Sequence, residues 1–374
     1  MRKISDTVGR LAALRGAGAM NTGLAPDSSR LTRLDAFGSN PGALHGYVHI
    51  PAALAPDAPL VVVLHGCTQT AAGYDLGAGW SDMADRYGFA VLFPEQQRQN
   101  NPNLCFNWFN PEDSRHGTGE ALSIRQMIAA VTARHAIDPA RVFVTGLSAG
   151  GAMASVMLAT YPEVFAGGAI IAGLPYGSAT TMPQAFDRMR GHGIPGEDAL
   201  AALVRDASDH DGPWPTISIW HGSGDATVAP SNADAIIRQW RSLHGTNARP
   251  DRQETVDGYP RRVWHDASGR PVIEEYSITG MGHGTPLAVA GDDRCGQAGA
   301  YMLDASISST RHIGRFWGLI PADDVRESGA ARTAVLERMP APAPRTAEHA
   351  EPAGVGANVG KVIEDALRAA GLMR

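Results

Sequence analysis

From about residue 45 the chain sets short apolar runs between longer segments with helical spacing. Strands are predicted over 46–50, 60–64, 90–93, 142–145, 169–172, 216–220, 262–265 and 273–278. Helices are predicted over 80–87, 120–135, 149–160, 232–243 and 308–317. The run Leu60-Val61-Val62-Val63-Leu64 has no polar face, as a central parallel strand covered on both sides requires. Strands alternating with helices imply an α/β fold with a mostly parallel central sheet and helices on both faces. Residues 177–212 break the rhythm with Gly, Pro and acidic residues, and read as an insertion near the mouth of a site.

The pattern differs at the two ends. Within residues 1–37, Ile4, Val8, Leu11 and Leu14 recur at helical spacing beside Arg2, Lys3, Arg10 and Arg15. That is a short basic amphipathic helix, suited either to docking on the domain or to a membrane or lipid-like granule surface. After residue 321 a Pro/Ala-rich stretch over 337–355 suits an extended linker. The last stretch, 359–373, places apolar residues on one helical face. The expected organisation is a leader (1–37), a catalytic domain (38–321) and a linker with a C-terminal helix (322–374).

Length and composition narrow the function class. The chain has 374 residues, 44% of them hydrophobic, and a net charge of -6. A core of that size folds without staples. The acidic balance gives no clustered Lys/Arg surface for nucleic acid. No apolar run approaches the roughly 20 residues of a membrane span. Asp6, Arg10 and Arg15 interrupt the first 20 residues, so a standard secretory signal is not expected and the cytoplasm is the expected location. Cys67, Cys105 and Cys295 are an odd set without a C-x-x-C pair, which excludes a closed disulfide framework and gives no zinc signature. One disulfide with one free thiol, or three free thiols, are both compatible.

The chemistry-bearing segment is Arg141-Val-Phe-Val-Thr-Gly-Leu-Ser-Ala-Gly-Gly151. Gly146, Ser148 and Gly150 form G-x-S-x-G between a predicted strand and a predicted helix, the setting of a nucleophile elbow. Side chains at the flanking positions would clash in so sharp a turn. The helix N-terminus beneath the serine favours developing negative charge. A serine hydroxyl needs a base. His283, in Gly280-Met281-Gly282-His283-Gly284 after the last predicted strand, is placed to supply it. His135, His244, His265 and His312 lie in or beside regular elements and read as packing or surface residues. Asp225, in His221-Gly222-Ser223-Gly224-Asp225, follows the 216–220 strand and is the expected acid. Asp209 and Asp211 are rivals that precede that strand. The order Ser148, Asp225, His283 is that of α/β-hydrolases. The oxyanion donors are expected to be the N–H groups of Ala149 and of Cys67, the latter in the loop His65-Gly66-Cys67-Thr68-Gln69. Such donors are worth about 10²–10³-fold each. His65 is expected to brace that loop. No metal or organic cofactor is required by this chemistry.

Together, Leu64-His65-Gly66-Cys67-Thr68-Gln69, Cys105-Phe106-Asn107-Trp108-Phe109, Gly146-Leu147-Ser148-Ala149-Gly150-Gly151, His221-Gly222-Ser223-Gly224-Asp225 and Gly282-His283-Gly284 resemble the polyhydroxybutyrate depolymerase family of esterases, relatives of feruloyl and acetylxylan esterases. The resemblance covers about residues 40–320. It implies an α/β-hydrolase fold and hydrolysis of short hydroxyalkanoate esters, including the polymer, through an acyl-enzyme. Extracellular members carry a signal, a linker and a separate polymer-binding domain. This chain looks more like intracellular members acting on granules. A Cys67–Cys105 disulfide fits the layout of the two segments, whereas a reducing cytoplasm opposes it. Tyr74, Phe106, Trp108 and Phe109 are candidate substrate contacts, with ordinary core packing as the alternative. Two rival readings are a polysaccharide esterase and a granule-surface binding protein without catalysis.

Overall fold

The computed structural model describes residues 30–291 and 294–321. The expected leader helix, the 337–355 linker and the C-terminal helix lie outside them. The strands are β1 (Thr32–Arg33), β2 (His45–His49), β3 (Ala58–Leu64), β4 (Ala90–Glu95), β5 (Ile137–Leu147), β6 (Gly167–Ile171), β7 (Thr216–Gly222), β8 (Arg252–Val256), β9 (Tyr259–His265), β10 (Pro271–Ile278), β11 (Thr285–Leu287) and β12 (Met302–Asp304). The helices are α1 (Ala71–Ala78), α2 (Trp80–Tyr87), α3 (Pro111–Ser114), α4 (Gly119–His135), α5 (Ala149–Thr160), α6 (Met182–Met189), α7 (Glu197–Arg205), α8 (Ser231–His244) and α9 (Ser309–Phe316).

The main sheet has the order β1-β2-β4-β3-β5-β6-β7-β10-β9-β8. From β4 to β10 every neighbour is parallel. Antiparallel pairs close both edges, β1–β2–β4 on one side and β10–β9–β8 on the other. The expectation of a mostly parallel α/β sheet therefore holds. Every residue of β3 is buried, and its side chains alternate between two cores. Leu60, Val62 and Leu64 belong to the core that also holds residues of α4, α5 and α8, while Val61 and Val63 belong to the one that holds residues of α1, α2 and α9. Each such side chain contributes about 1.5–3 kcal/mol on leaving water. Helix α5 is buried along its whole length, which explains why Ala-Gly-Gly-Ala-Met-Ala-Ser-Val-Met-Leu shows no polar face.

Residues 177–212, which follow β6, carry two helices, α6 and α7. Thr181 caps α6 by accepting from the Gln184 N–H. Leu200, Ala201 and Val204 form the buried face of α7. Glu197 pairs with Arg241, tying α7 to α8.

Candidate active site

The tips of β5, β7 and β10 lie at the same edge of the sheet, in the spatial order β5-β6-β7-β10. Ser148 stands between β5 and α5 with φ +56° and ψ −118°, left-handed backbone for a residue with a side chain. Its N–H donates to Ile171 O at 2.9 Å, which anchors the strained turn to β6. The flanking glycines follow from packing. A Cβ on Gly146 would lie 2.4 Å from the Gly150 carbonyl, and one on Gly150 would lie 2.3 Å from Leu64 O and 2.5 Å from His65 O. The turn can thus form only with hydrogen at both positions, pressed against the end of β3.

Asp225 Oδ2 accepts from His283 Nδ1 at 2.7 Å. Its Oδ1 accepts from the N–H groups of Thr227 and Val228 at 2.8 and 2.9 Å. Burial by itself would raise the carboxyl's pKa. Hydrogen bonds from His221 and His283, the His283 charge and the Val228 N–H outweigh it and hold Asp225 far below the usual carboxylate range. The acid is therefore an anion throughout the neutral range, and it leaves His283 Nε2 as the ring's free nitrogen. The loops carrying the two residues are stitched together. Ser223 N donates to Ile278 O, Gly224 N to Met281 O and Gly280 N to Ser223 Oγ. A Cβ on Gly222 would sit 2.2 Å from Met281 O, so the close approach of the loops demands glycine there. Asp209 and Asp211, the rival acids, are exposed and take no part in this bonding.

After β3, the His65–Gln69 loop is held from within. His65 is fully buried. Burial drives its pKa down to about 4, against the opposing hydrogen bond to Gly66 O. The neutral ring donates from Nδ1 to Gly66 O at 2.8 Å and accepts at Nε2 from Gln96 N at 3.1 Å. It braces the loop, as expected. Among the described residues neither the Cys67 nor the Ala149 N–H has an acceptor, so both remain available as oxyanion donors. Cys67 is disulfide-bonded to Cys105, with the two Cα atoms 4.2 Å apart. Cys295 is a buried free thiol bonded to Ala78 O. His244 donates to Pro215 O and His312 to Asp257 Oδ2, both as packing contacts.

The Cys105–Phe109 loop depends on residues that the sequence reading did not single out. Gln96 Nε2 donates to Cys105 O at 3.1 Å and to Glu120 Oε1 at 2.5 Å. Glu120 also accepts from the N–H and the side-chain amide of Asn107 at 2.9 and 2.8 Å. Burial, with Asp113 close by, pushes the Glu120 carboxyl up to about 8. The one sequence signal was a Glu-Gln-Gln run at the end of a buried strand.

The candidate substrate contacts divide. Tyr74 is fully buried on α1 with its hydroxyl on Thr285 Oγ1 at 3.1 Å, so it is a core residue. Phe106 is likewise fully buried, packed on the His65 ring with centroids 5.0 Å apart. Neither reaches solvent, and both assignments as substrate contacts are corrected. Trp108 is 7% exposed and stands edge-on to half-buried Phe109. Phe109 lines a cavity of about 560 Å³ together with Asn107, Asn110, Asp113, Thr181 and Met182. Half-buried Tyr301, unmarked in the sequence, lies edge-on to the His283 ring at 6.1 Å. Its backbone is left-handed, with φ +61°, a costly conformation for an aromatic residue.

Comparison with known proteins places these features. Residues 44–255 match the family model "Esterase PHB depolymerase". Poly(3-hydroxyalkanoate) depolymerase C of Paucimonas lemoignei is 51% identical over 78% of this chain and 70% of its own. Acetylxylan esterase A of Aspergillus oryzae is 30% identical over 72% of this chain and 88% of its own. Among solved structures, acetyl xylan esterase from Aspergillus awamori superposes with a TM-score of 0.63 at 28% identity, over 68% of this chain and 93% of the other. No helix among the described residues is long and apolar enough to cross a membrane. With its parallel sheet, its elbow and these relatives, the chain belongs to the esterase PHB depolymerase family and is a carboxylic-ester hydrolase.

Proposed function

We propose that the protein hydrolyses short-chain hydroxyalkanoate esters, poly(3-hydroxybutyrate) foremost, through an acyl-enzyme on Ser148. The observation that carries the mechanism is the 2.7 Å bond between Asp225 and His283 on the sheet edge that bears the elbow. The named substrate of the 51% identical relative carries the choice of ester. Ser148 Oγ attacks the ester carbonyl while His283 Nε2 takes its proton. Asp225 stabilises the imidazolium and fixes its tautomer. The N–H groups of Cys67 and Ala149 hold the tetrahedral oxyanion. The C–O bond breaks, and the alkoxide leaves with the proton from His283. Water then attacks the acyl-enzyme by the same route and releases the hydroxy acid. Trp108, Phe109 and Tyr301 offer apolar surface to the methyl-bearing units.

The test is a Ser148→Ala variant assayed on p-nitrophenyl butyrate and on amorphous polymer. A loss of about 10⁴–10⁶-fold is expected. Near-wild-type turnover would end the assignment. A second reading, an esterase for acetylated or feruloylated polysaccharide, is favoured by the acetylxylan esterase relatives and the polar lining beside Phe109. Side-by-side rates on amorphous polymer, tributyrin, acetylated xylan and methyl ferulate separate the two. Labelling by a serine-directed fluorophosphonate disposes of a purely granule-binding role. The catalytic unit is proposed to be residues 38–321, with 177–212 as an insertion beside the site. The terminal segments are proposed to serve granule contact, to be tested by deleting 1–37 or 322–374 and measuring adsorption. The Cys67–Cys105 disulfide suits an oxidising compartment and weighs against the cytoplasmic expectation. Alkylation and mass mapping of the native protein decide that point.

A further inference from the structure

We propose that His221 is a positioning residue that locks the Asp225 carboxylate in the orientation His283 requires. This rests on the reading of Asp225 as the acid of the reaction. His221 is the penultimate residue of β7 and only 3% exposed. Its Nε2–H points across the turn into which the strand runs. It donates to Val228 O at 2.9 Å and lies 3.4 Å from Asp225 Oδ2. The hydrogen bond is the one to Val228 O, and Asp225 Oδ2 lies beside the same N–H as a longer electrostatic contact.

The consequence is a closed arrangement. Val228 gives its N–H to Asp225 Oδ1 and its carbonyl to His221, so one residue is pinned from both sides. Thr227 N–H reaches the same Oδ1. Oδ2 faces His283 Nδ1 at 2.7 Å and His221 Nε2 at 3.4 Å. Oδ1 is thus held by two N–H donors and Oδ2 by His283 with His221 alongside, which sets the orientation of the group. The Asp225 side chain has no exposed surface, so water cannot replace a missing donor. Burial would otherwise raise this acid's pKa. The nearby His221 N–H is among the contacts that lower it. A histidine suits the position because its donor sits at the far end of a rigid side chain. Glutamine places an amide N–H at about the same reach, while asparagine stops short.

The experiment compares His221→Asn with His221→Gln in the full chain, both polar and differing in reach. Kinetics on p-nitrophenyl butyrate are read with the low-field proton resonance of His283 Nδ1. For His221→Asn, kcat is expected to fall about 10–100-fold, as small misplacements of catalytic groups do, with KM nearly unchanged and the resonance shifted upfield or lost. For His221→Gln, most of the kcat and the resonance should return. Wild-type kcat and resonance in His221→Asn would overturn the proposal. So would equal impairment of both variants with a fallen melting temperature, which marks a role in packing alone. Ser148→Ala in parallel keeps the two readings apart: if it stays active, the acyl-enzyme reading fails, whereas an inert Ser148→Ala beside an unaffected His221→Asn sinks only this proposal.

Discussion

Replacing Cys67 and Cys105 together by serine should lower both stability and turnover. The disulfide closes a loop of 38 residues' separation. Chain-entropy arguments give about 4 kcal/mol for a loop of that length. For the roughly 290 described residues at about 2.1 cal/mol/K each, that corresponds to a melting temperature lower by about 6 °C. The kinetic effect has a separate origin. Cys67 carries one of the two proposed oxyanion donors, and losing such a donor outright costs about 10²–10³-fold. His65, Gln69 and Gln96 still hold the loop in the variant, so a partial loss of about 10-fold in kcat is expected. The assay is a thermal melt together with kcat and KM on p-nitrophenyl butyrate, repeated on wild type after dithiothreitol. Cys295 does not interfere, because burial raises its thiol pKa to about 12 and keeps it protonated. A double variant that melts within about 1 °C of wild type and turns over at the same rate would refute the reasoning.

Gly150→Ala should destabilise by about 3 kcal/mol or more, because its methyl meets two backbone carbonyls that cannot swing aside; melting and soluble yield report it. His65 titrates lower in the folded protein than in the unfolded chain, so its contribution is full above about pH 6.5 and is lost as pH falls toward 4. Glu120, raised by burial, acts in the opposite direction, so the readout is a difference between proteins. Between pH 7 and 5, urea denaturation should show wild type losing about 2 kcal/mol more than His65→Asn; parallel pH profiles would contradict this. Tyr301→Ala and Phe109→Ala should each raise KM on hydroxybutyrate oligomers several-fold while leaving p-nitrophenyl acetate hydrolysis nearly intact. Equal losses on both substrates would argue against a role in holding the chain.

Much of the scaffold was legible because its elements carry strong local signals. The β-branched run of β3, the Val-Phe-Val of β5 and the glycines around Ser148 each fit one conformation only. Helices α2 and α5 fall on the predicted residues, 80–87 and 149–160. Other elements carry weaker local signals. Thr181 with Gln184 three residues on marks the start of α6, yet the Gly and Pro around it point only to an insertion. Strand β8 is polar on both faces, and its clue was the Asp257-Gly258 turn into β9, where both residues have positive φ. Strands β11 and β12 span three residues each, too short for any period to register. Side-chain direction was the harder matter. Tyr74 and Phe106 are close in sequence to the proposed site, but α1 and the loop bonded to Glu120 turn them inward. Tyr301 lies 18 positions after His283 and returns to it only because β12 pairs with β11.

The seam between the Gly222–Asp225 and Ile278–His283 loops has a consequence for anyone who would redesign this enzyme. The proposed acid and base are delivered by one welded unit rather than by two independent arms. Lengthening either loop alone would shear backbone bonds that belong to both. A graft from another hydrolase would have to carry the two segments together, as a single cassette, with the glycine at 222 retained. Variation in substrate range is then easier to place in residues 180–182 and the Trp108 loop, which meet across the cavity beside Phe109 and share none of that seam.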